Sequence, residues 1–200
     1  WVSFQDPDEF LTGPDSLKEY FADERSRGAQ ATGIPRTNLI GIGPVPPATH
    51  YLRHLTLKIV ETDERVSNPS APLSSPWIFS RLPPKVAINA ANTLTPIPGD
   101  HGVVGSSALL RSDPSCEILH FPIRSYEAFR EKIECAIGYY AKNPEFEPGI
   151  GWQWRRWIAL HQEGRLREEY AQQFLDPPPA EALLAAKRIF RDTRLADWPV

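Results

Sequence analysis

An α/β protein with a helical C-terminal flank is the fold class this chain predicts, on three observations. Short strand-like segments mingle with helix-like ones through about residue 121. From Ser125 to about 142 the apolar residues recur at three- and four-residue steps, the period of a helix face, and only helix-like segments follow. The composition, 41% hydrophobic and 24% charged over 200 residues, is that of an ordinary globular protein able to bury a core within one domain.

The elements follow in order. Residues 1–5 read as a strand with Val2 and Phe4 on one face. Three acids, Asp6, Asp8 and Glu9, come next, then a turn at Thr12-Gly13-Pro14. A helix over 16–27 starts at a capping box, Ser16 with Glu19, presents Leu17, Tyr20 and Phe21 as its apolar face and stops at Gly28. Residues 31–42 read as a strand that Pro35 makes an edge or a bulge. In 48–60, Tyr51, Leu52, Leu55 and Ile59 stand at helical spacing, while the β-branched tail leaves a strand open. A polar Pro- and Ser-rich run at 61–76 is a loop.

Strands are expected at 84–89, at 93–98 and, buried, at 116–121, with a glycine-punctuated loop at 99–107. Tyr126, Phe129, Ile133, Ile137 and Tyr140 mark a helix from Ser125 to about 142, ended by Pro144 and Pro148. A Trp-rich helix at 151–164 and a charged one around 166–175 follow. The triplet Pro177-Pro178-Pro179 breaks the chain before a last helix at 180–192. No internal repeat is visible.

Bulk properties exclude several classes. A formal net charge of −3 offers no basic surplus for nucleic acid. Cys116 and Cys135 form no CxxC, which argues against a disulfide scaffold or zinc knuckle and for reduced thiols in a cytoplasmic setting. No stretch in this segment approaches the roughly 20 apolar residues of a membrane span. The absence of methionine and the abrupt start at Trp1 predict a segment of a longer protein.

The acids carry the chemistry. In an extended segment, residues i and i+2 point the same way, so Asp6 and Asp8 would converge, and converging carboxylates call for a cation between them. Hard divalent ions such as Mg²⁺ or Mn²⁺ suit oxygen ligands, and Mg²⁺ commonly combines one or two carboxylates with substrate phosphates. The plain alternative is a solvated acidic turn with Asp8 as a cap.

Three segments extend this reading. WVSFQDPDEFL resembles the strand and D-x-D-E-F signature of bacterial family-2-like glycosyltransferases, HFPIRSYEAFREKI at 120–133 is similar to a late segment of that group, and GIGWQWRRW at 149–157 to its close. PKVAIN followed by GDHGV is a weaker likeness between them. Pro7 between the acids and Asp100 before His101, where Asn is common, depart from the pattern.

The resemblance implies the C-terminal part of an A-type nucleotide-diphospho-sugar transferase fold. Residues 1–123 would be the acceptor and metal half of the catalytic domain, and 124–200 the helical flank. It implies a glycosyltransferase that moves a sugar from a nucleotide-sugar donor to a glycan or lipid-linked acceptor. The half that binds base and ribose would lie before Trp1, leaving this segment inactive alone. Any membrane association would fall to other parts of the full-length protein.

By the same resemblance Asp6 and Asp8 would hold a divalent cation (Mn²⁺ or Mg²⁺) and Glu9 would orient a ligand. His101 and His120 compete as a further metal ligand. Lys85 and Arg124 are candidates for the diphosphate or the acceptor, Arg124 alternatively for a carboxylate at a helix start. Asp100 is the nearest candidate for a general base. Arg36 and Asn38 would line the acceptor side or be ordinary polar residues. Trp152, Trp154 and Trp157 would stack on a sugar or pack the helices, and His50, His54 and His161 are structural. The competing function is a non-catalytic interaction module in which the acids cap a turn.

Overall fold

The computed structural model describes residues 1–26, 28–62, 76–97, 99–104, 110–112, 115–143 and 151–199, with only the backbone described at 25–26 and 110–112. Within these residues the protein is mixed α/β, with several sheets and six α-helices. The first half carries β1 (Val2–Ser3), β2 (Glu9–Thr12), α1 (Leu17–Ser26), β3 (Ala31–Ile34), β4 (Arg36–Ile40), α2 (Tyr51–His54) and β5 (Leu57–Ile59). Next come β6 (Lys85–Ile88), β7 (Thr95–Pro96), β8 (Val103–Val104), β9 (Leu110–Ser112) and β10 (Glu117–His120). The remainder holds α3 (Tyr126–Lys142), α4 (Trp152–Gln162), α5 (Leu166–Ala171), α6 (Pro177–Ala185) and β11 (Ile189–Arg191).

The chain forms two compact units, one of Trp1–Thr37 with Leu82–His120, the other of Asn38–Arg81 with Phe121–Val200. In the second unit β5 from the first half of the sequence pairs with β11 near the C-terminus.

In the first unit a four-stranded sheet runs β1-β6-β3-β9. β6 pairs antiparallel with both β1 and β3, and β3 pairs parallel with β9. The pleat sends alternate residues to opposite faces. One face joins Ile34 and Ala87 to Tyr20, Cys116 and Ile118, with Trp1, Leu17 and Phe21 packed against them; Trp1 stacks on Phe21 at 5.3 Å. The other joins Ala31, Val86 and Ile88 to Leu94 and Val103. Lys85 and Ala87 alternate with Val86, so the Lys85 stem lies on the α1 side. β2 pairs antiparallel with β10, and the Pro35 carbonyl accepts the Ile118 N–H at 2.8 Å.

Several expectations change here. The opening strand shortens to two residues, and Val2 and Phe4, read as one apolar face, are 43% and 48% exposed. Pro35 does more than mark an edge: lacking an N–H, it splits 31–42 into β3 and β4. Ser16 caps α1 as read, its Oγ accepting the Glu19 N–H at 3.2 Å. Part of the 99–107 loop is strand β8, which pairs with β7; 105–107 lie outside the described residues.

In the second unit β4, β5 and β11 form an antiparallel ladder. The 48–60 stretch is one short helix followed by β5, so helical spacing ends where Thr56, Ile59 and Val60 favour extended backbone. α3, α4 and α5 pack around Phe129, Trp157 and Tyr170, with Trp77 edge-on to Trp157 at 4.9 Å. Buried polar groups close this core: Trp157 Nε1 and Arg156 Nη2 donate to the Glu169 carboxylate at 3.2 and 3.0 Å, and Gln173 Oε1 accepts the Ile78 N–H.

The proline triplet begins α6 instead of preceding it, since residues in a helix's first turn need no N–H partner. α6 ends early, at Ala185: Lys187, with φ 58°, closes a Schellman-type stop through Arg188 N–H to the Leu183 carbonyl, and β11 takes the place of the last helical turns. The loop at 63–75, Pro144 and Pro148 lie outside the described residues.

Candidate functional site

The site is built on a turn. Asp6 and Asp8 do not alternate along a strand: the Asp6 carbonyl accepts the Glu9 N–H at 3.0 Å, closing a β-turn over Asp6-Pro7-Asp8-Glu9. Pro7 explains the departure from extended backbone, because its fixed φ suits the second position of such a turn and Asp favours the first. The Glu9 Oε2 accepts the Asp6 N–H at 3.1 Å and locks the turn from inside. The two aspartates consequently meet different partners.

Asp6, its side chain 54% exposed, meets Lys85 Nζ at 3.2 Å. Lys85 is nearly fully buried and also lies 3.6 Å from Glu9 Oε2 and 4.0 Å from Asp100 Oδ2. Glu9 is enclosed, with Oε1 2.7 Å from Arg36 Nη1. Arg36 is therefore a buried partner of Glu9, and Glu9 positions two cations. A lone lysine in the apolar strand PKVAIN was the sequence signal for such a network, since a buried ammonium requires carboxylates around it.

Asp8 is buried, and its Oδ2 lies 3.6 Å from His120 Nε2. The ladder explains this meeting across the sequence: Leu119 pairs with Phe10 and His120 with Glu9, which brings the end of β10 beside the turn. Asp6, Asp8, Glu9 and Asp100 thus stand with Lys85 and Arg36 around one turn, carboxylates of the kind that suit a hard divalent cation.

Asp100 and His101 sit on the β7–β8 turn. The Ile97 carbonyl accepts the Asp100 N–H at 2.9 Å, and Gly99 has φ 84°, a left-handed value that glycine adopts without steric cost. Asp100 follows at φ 59°, a left-handed conformation Asp tolerates better than most residues. Its carbonyl accepts the Val86 N–H, which ties the turn to β6. His101 Nδ1 donates to the Pro84 carbonyl at 3.0 Å, so the neutral ring keeps its lone pair on Nε2. Burial above all, then the Arg36 charge, holds the His101 pKa below its ordinary value. A Cβ on Gly99 would lie 2.9 Å from this ring, so glycine there leaves His101 its place.

Six of the seven candidate residues, Asp6, Asp8, Lys85, Asp100, His101 and His120, belong to the first unit; Arg124 belongs to the second. Arg124 stands 5.5 Å over the Tyr51 ring, with no carboxylate partner among the described residues. Asn38 donates its amide to the Ile78 carbonyl at 2.7 Å. Trp152 and Trp157 are buried, and Trp154 meets Trp157 edge-on at 5.4 Å, the packing arrangement of the two read from sequence. His50 Nδ1 accepts the Leu52 N–H, His54 Nε2 meets the Gly43 carbonyl at 2.9 Å, and His161 lies 3.9 Å from Glu134. Cys116, buried, and Cys135, exposed, form no disulfide.

Among the described residues no three His, Cys, Asp or Glu side chains converge as a ready-made metal cage, and no helix is long and apolar enough to cross a membrane. In comparisons with known proteins, no family model, no curated protein and no solved structure matches the chain.

Proposed function

We propose that the chain is the acceptor and metal part of an A-type glycosyltransferase, one that moves a sugar from a nucleotide-diphosphate donor to a glycan or lipid-linked acceptor. The observation that carries this reading is the Asp8–His120 pair at 3.6 Å, which joins the D-P-D-E-F and H-F-P segments from opposite ends of the first unit. Two ligands about 2.1 Å from one cation stand roughly 3.0 Å apart at right angles and about 3.6 Å apart at 120°. The observed separation is at the wide end of that span, about 0.6 Å more than the right-angle spacing of an octahedral shell, and exceeds a hydrogen bond.

Asp8 and His120 would hold the cation, with phosphate oxygens and water completing its shell, as Mg²⁺ sites commonly do. When bound, the cation stabilises the charge that builds on a departing diphosphate. Lys85, held by Asp6, Glu9 and Asp100, adds a fixed positive charge to the same turn. Asp100, its side chain 27% exposed, would take the acceptor hydroxyl's proton. His101, kept neutral with its proton on Nδ1, offers Nε2 as an acceptor or a further ligand.

Donor hydrolysis by the full-length protein tests the reading. Release of nucleoside diphosphate should require Mn²⁺ or Mg²⁺ and fall by two orders of magnitude or more in Asp8→Asn and His120→Gln, the scale of losing an electrostatic stabiliser. Metal-independent release, or unchanged rates in both variants, would reject it.

A further inference from the structure

We propose that a groove of about 520 Å³ in the second unit binds an anionic saccharide, a sugar ring bearing a carboxylate or a phosphate. Its volume falls within the range of small-molecule sites. The choice of a saccharide rests on the transferase reading above; the choice of an anion rests on Arg124 alone.

Arg124 lines the groove half-buried, carries no ion pair or hydrogen bond among the described residues, and is steadied over the Tyr51 ring at 5.5 Å. Tyr51 is itself fixed edge-on against Phe121 at 5.6 Å. A guanidinium held by an aromatic face keeps its N–H donors available, and paired parallel donors match a carboxylate or phosphate. Apolar walls from Pro46 and Pro47 suit the C–H faces of a pyranose, while the Thr49 hydroxyl and the exposed Glu127 carboxylate supply a donor and an acceptor for ring hydroxyls.

The wall is also shaped at a conformational cost. The Pro46 carbonyl accepts the Thr49 N–H at 3.1 Å, and Ala48 within that turn has φ 65°, a region alanine rarely enters. Strain of this kind concentrates where a ligand is clamped. The Ser125 Oγ, which lines the same groove, accepts the Ala128 N–H and retains its O–H as a donor beside the guanidinium.

The test is saturation-transfer NMR with calorimetric titration, using glucuronic acid, glucose 6-phosphate, glucose and inorganic phosphate. Glucuronic acid and glucose 6-phosphate should saturate one site at least roughly tenfold more tightly than glucose, and Arg124→Gln should remove most of that difference. Thr49→Trp, which fills an exposed wall position, should block binding even where Arg124→Gln proves poorly folded. No saturable binding, or glucose binding as tightly as glucuronic acid, would overturn the proposal. Inorganic phosphate binding as tightly as glucose 6-phosphate would overturn the saccharide part. Asp8→Asn should leave these affinities unchanged, so loss of the metal site and loss of the groove are read separately.

Discussion

Glu9→Gln is the sharpest probe of the network beneath the site. The substitution keeps the shape of the side chain and removes its charge. It leaves Arg36, 2.7 Å away and buried, without its carboxylate, and Lys85 with the exposed Asp6 and the more distant Asp100. Breaking a buried pair in this way costs about 3–5 kcal/mol, against about 0–1 kcal/mol for an exposed pair. For a chain of this size that is a fall in Tm of roughly 6–20 °C. Urea denaturation followed by circular dichroism measures the loss. A double variant with Arg36→Met should be less destabilised than the two single variants combined, by about 1–3 kcal/mol. A loss under about 1 kcal/mol with additive single variants would refute the claim that Glu9 is an enclosed anchor.

Three further outcomes follow from the geometry. The His101 pKa is lowered in the fold, so the unfolded chain binds more protons as pH falls; stability is fully present above about 6.5 and declines as pH drops below it toward the folded pKa. His101→Asn should flatten the pH 5–7 part of a thermal-melt profile, and an unchanged profile would contradict the assignment. Asp100→Asn should change stability by no more than about 0.5 kcal/mol, while Asp100→Val should cost at least about 1–2 kcal/mol, because only the former tolerates φ 59°; equal urea midpoints for the two would count against it. Ser125→Ala removes the acceptor of the Ala128 N–H and should cost about 1 kcal/mol in urea titration, with no loss expected if the cap were idle.

The parts of the fold that sequence foretold are those governed by local chemistry. Ser16 and Ser125 announced two helix starts, the spacing of Phe129 and Ile133 announced α3, and PKVAIN announced β6. What it hid depends on partners distant in the chain. β2 and β11 are short and become strands through pairing with β10 and β5. Lys187 stops α6 through backbone geometry that no propensity of lysine suggests.

The same division runs through the site. Asp6, Asp8, Lys85, Asp100, His101 and His120 were named from their segments, but the partnerships were not. The local rule for extended backbone aimed Asp6 and Asp8 together, and Pro7 turned them apart. Register alone brings His120 to Asp8. The enclosure of Glu9 by Arg36 and Lys85 needs β2, β4 and β6 in place and was signalled only by a lysine in an apolar strand.

Mn²⁺ binding to this chain, measured from the electron paramagnetic resonance of the free ion with and without inorganic pyrophosphate, tests the central claim most directly. One saturable site is expected, tightened by pyrophosphate and weakened at least roughly tenfold by Asp8→Asn and by His120→Gln, with Tyr51→Phe as an unaffected control. Absence of saturable binding, or equal affinity in wild type and both variants, would contradict it.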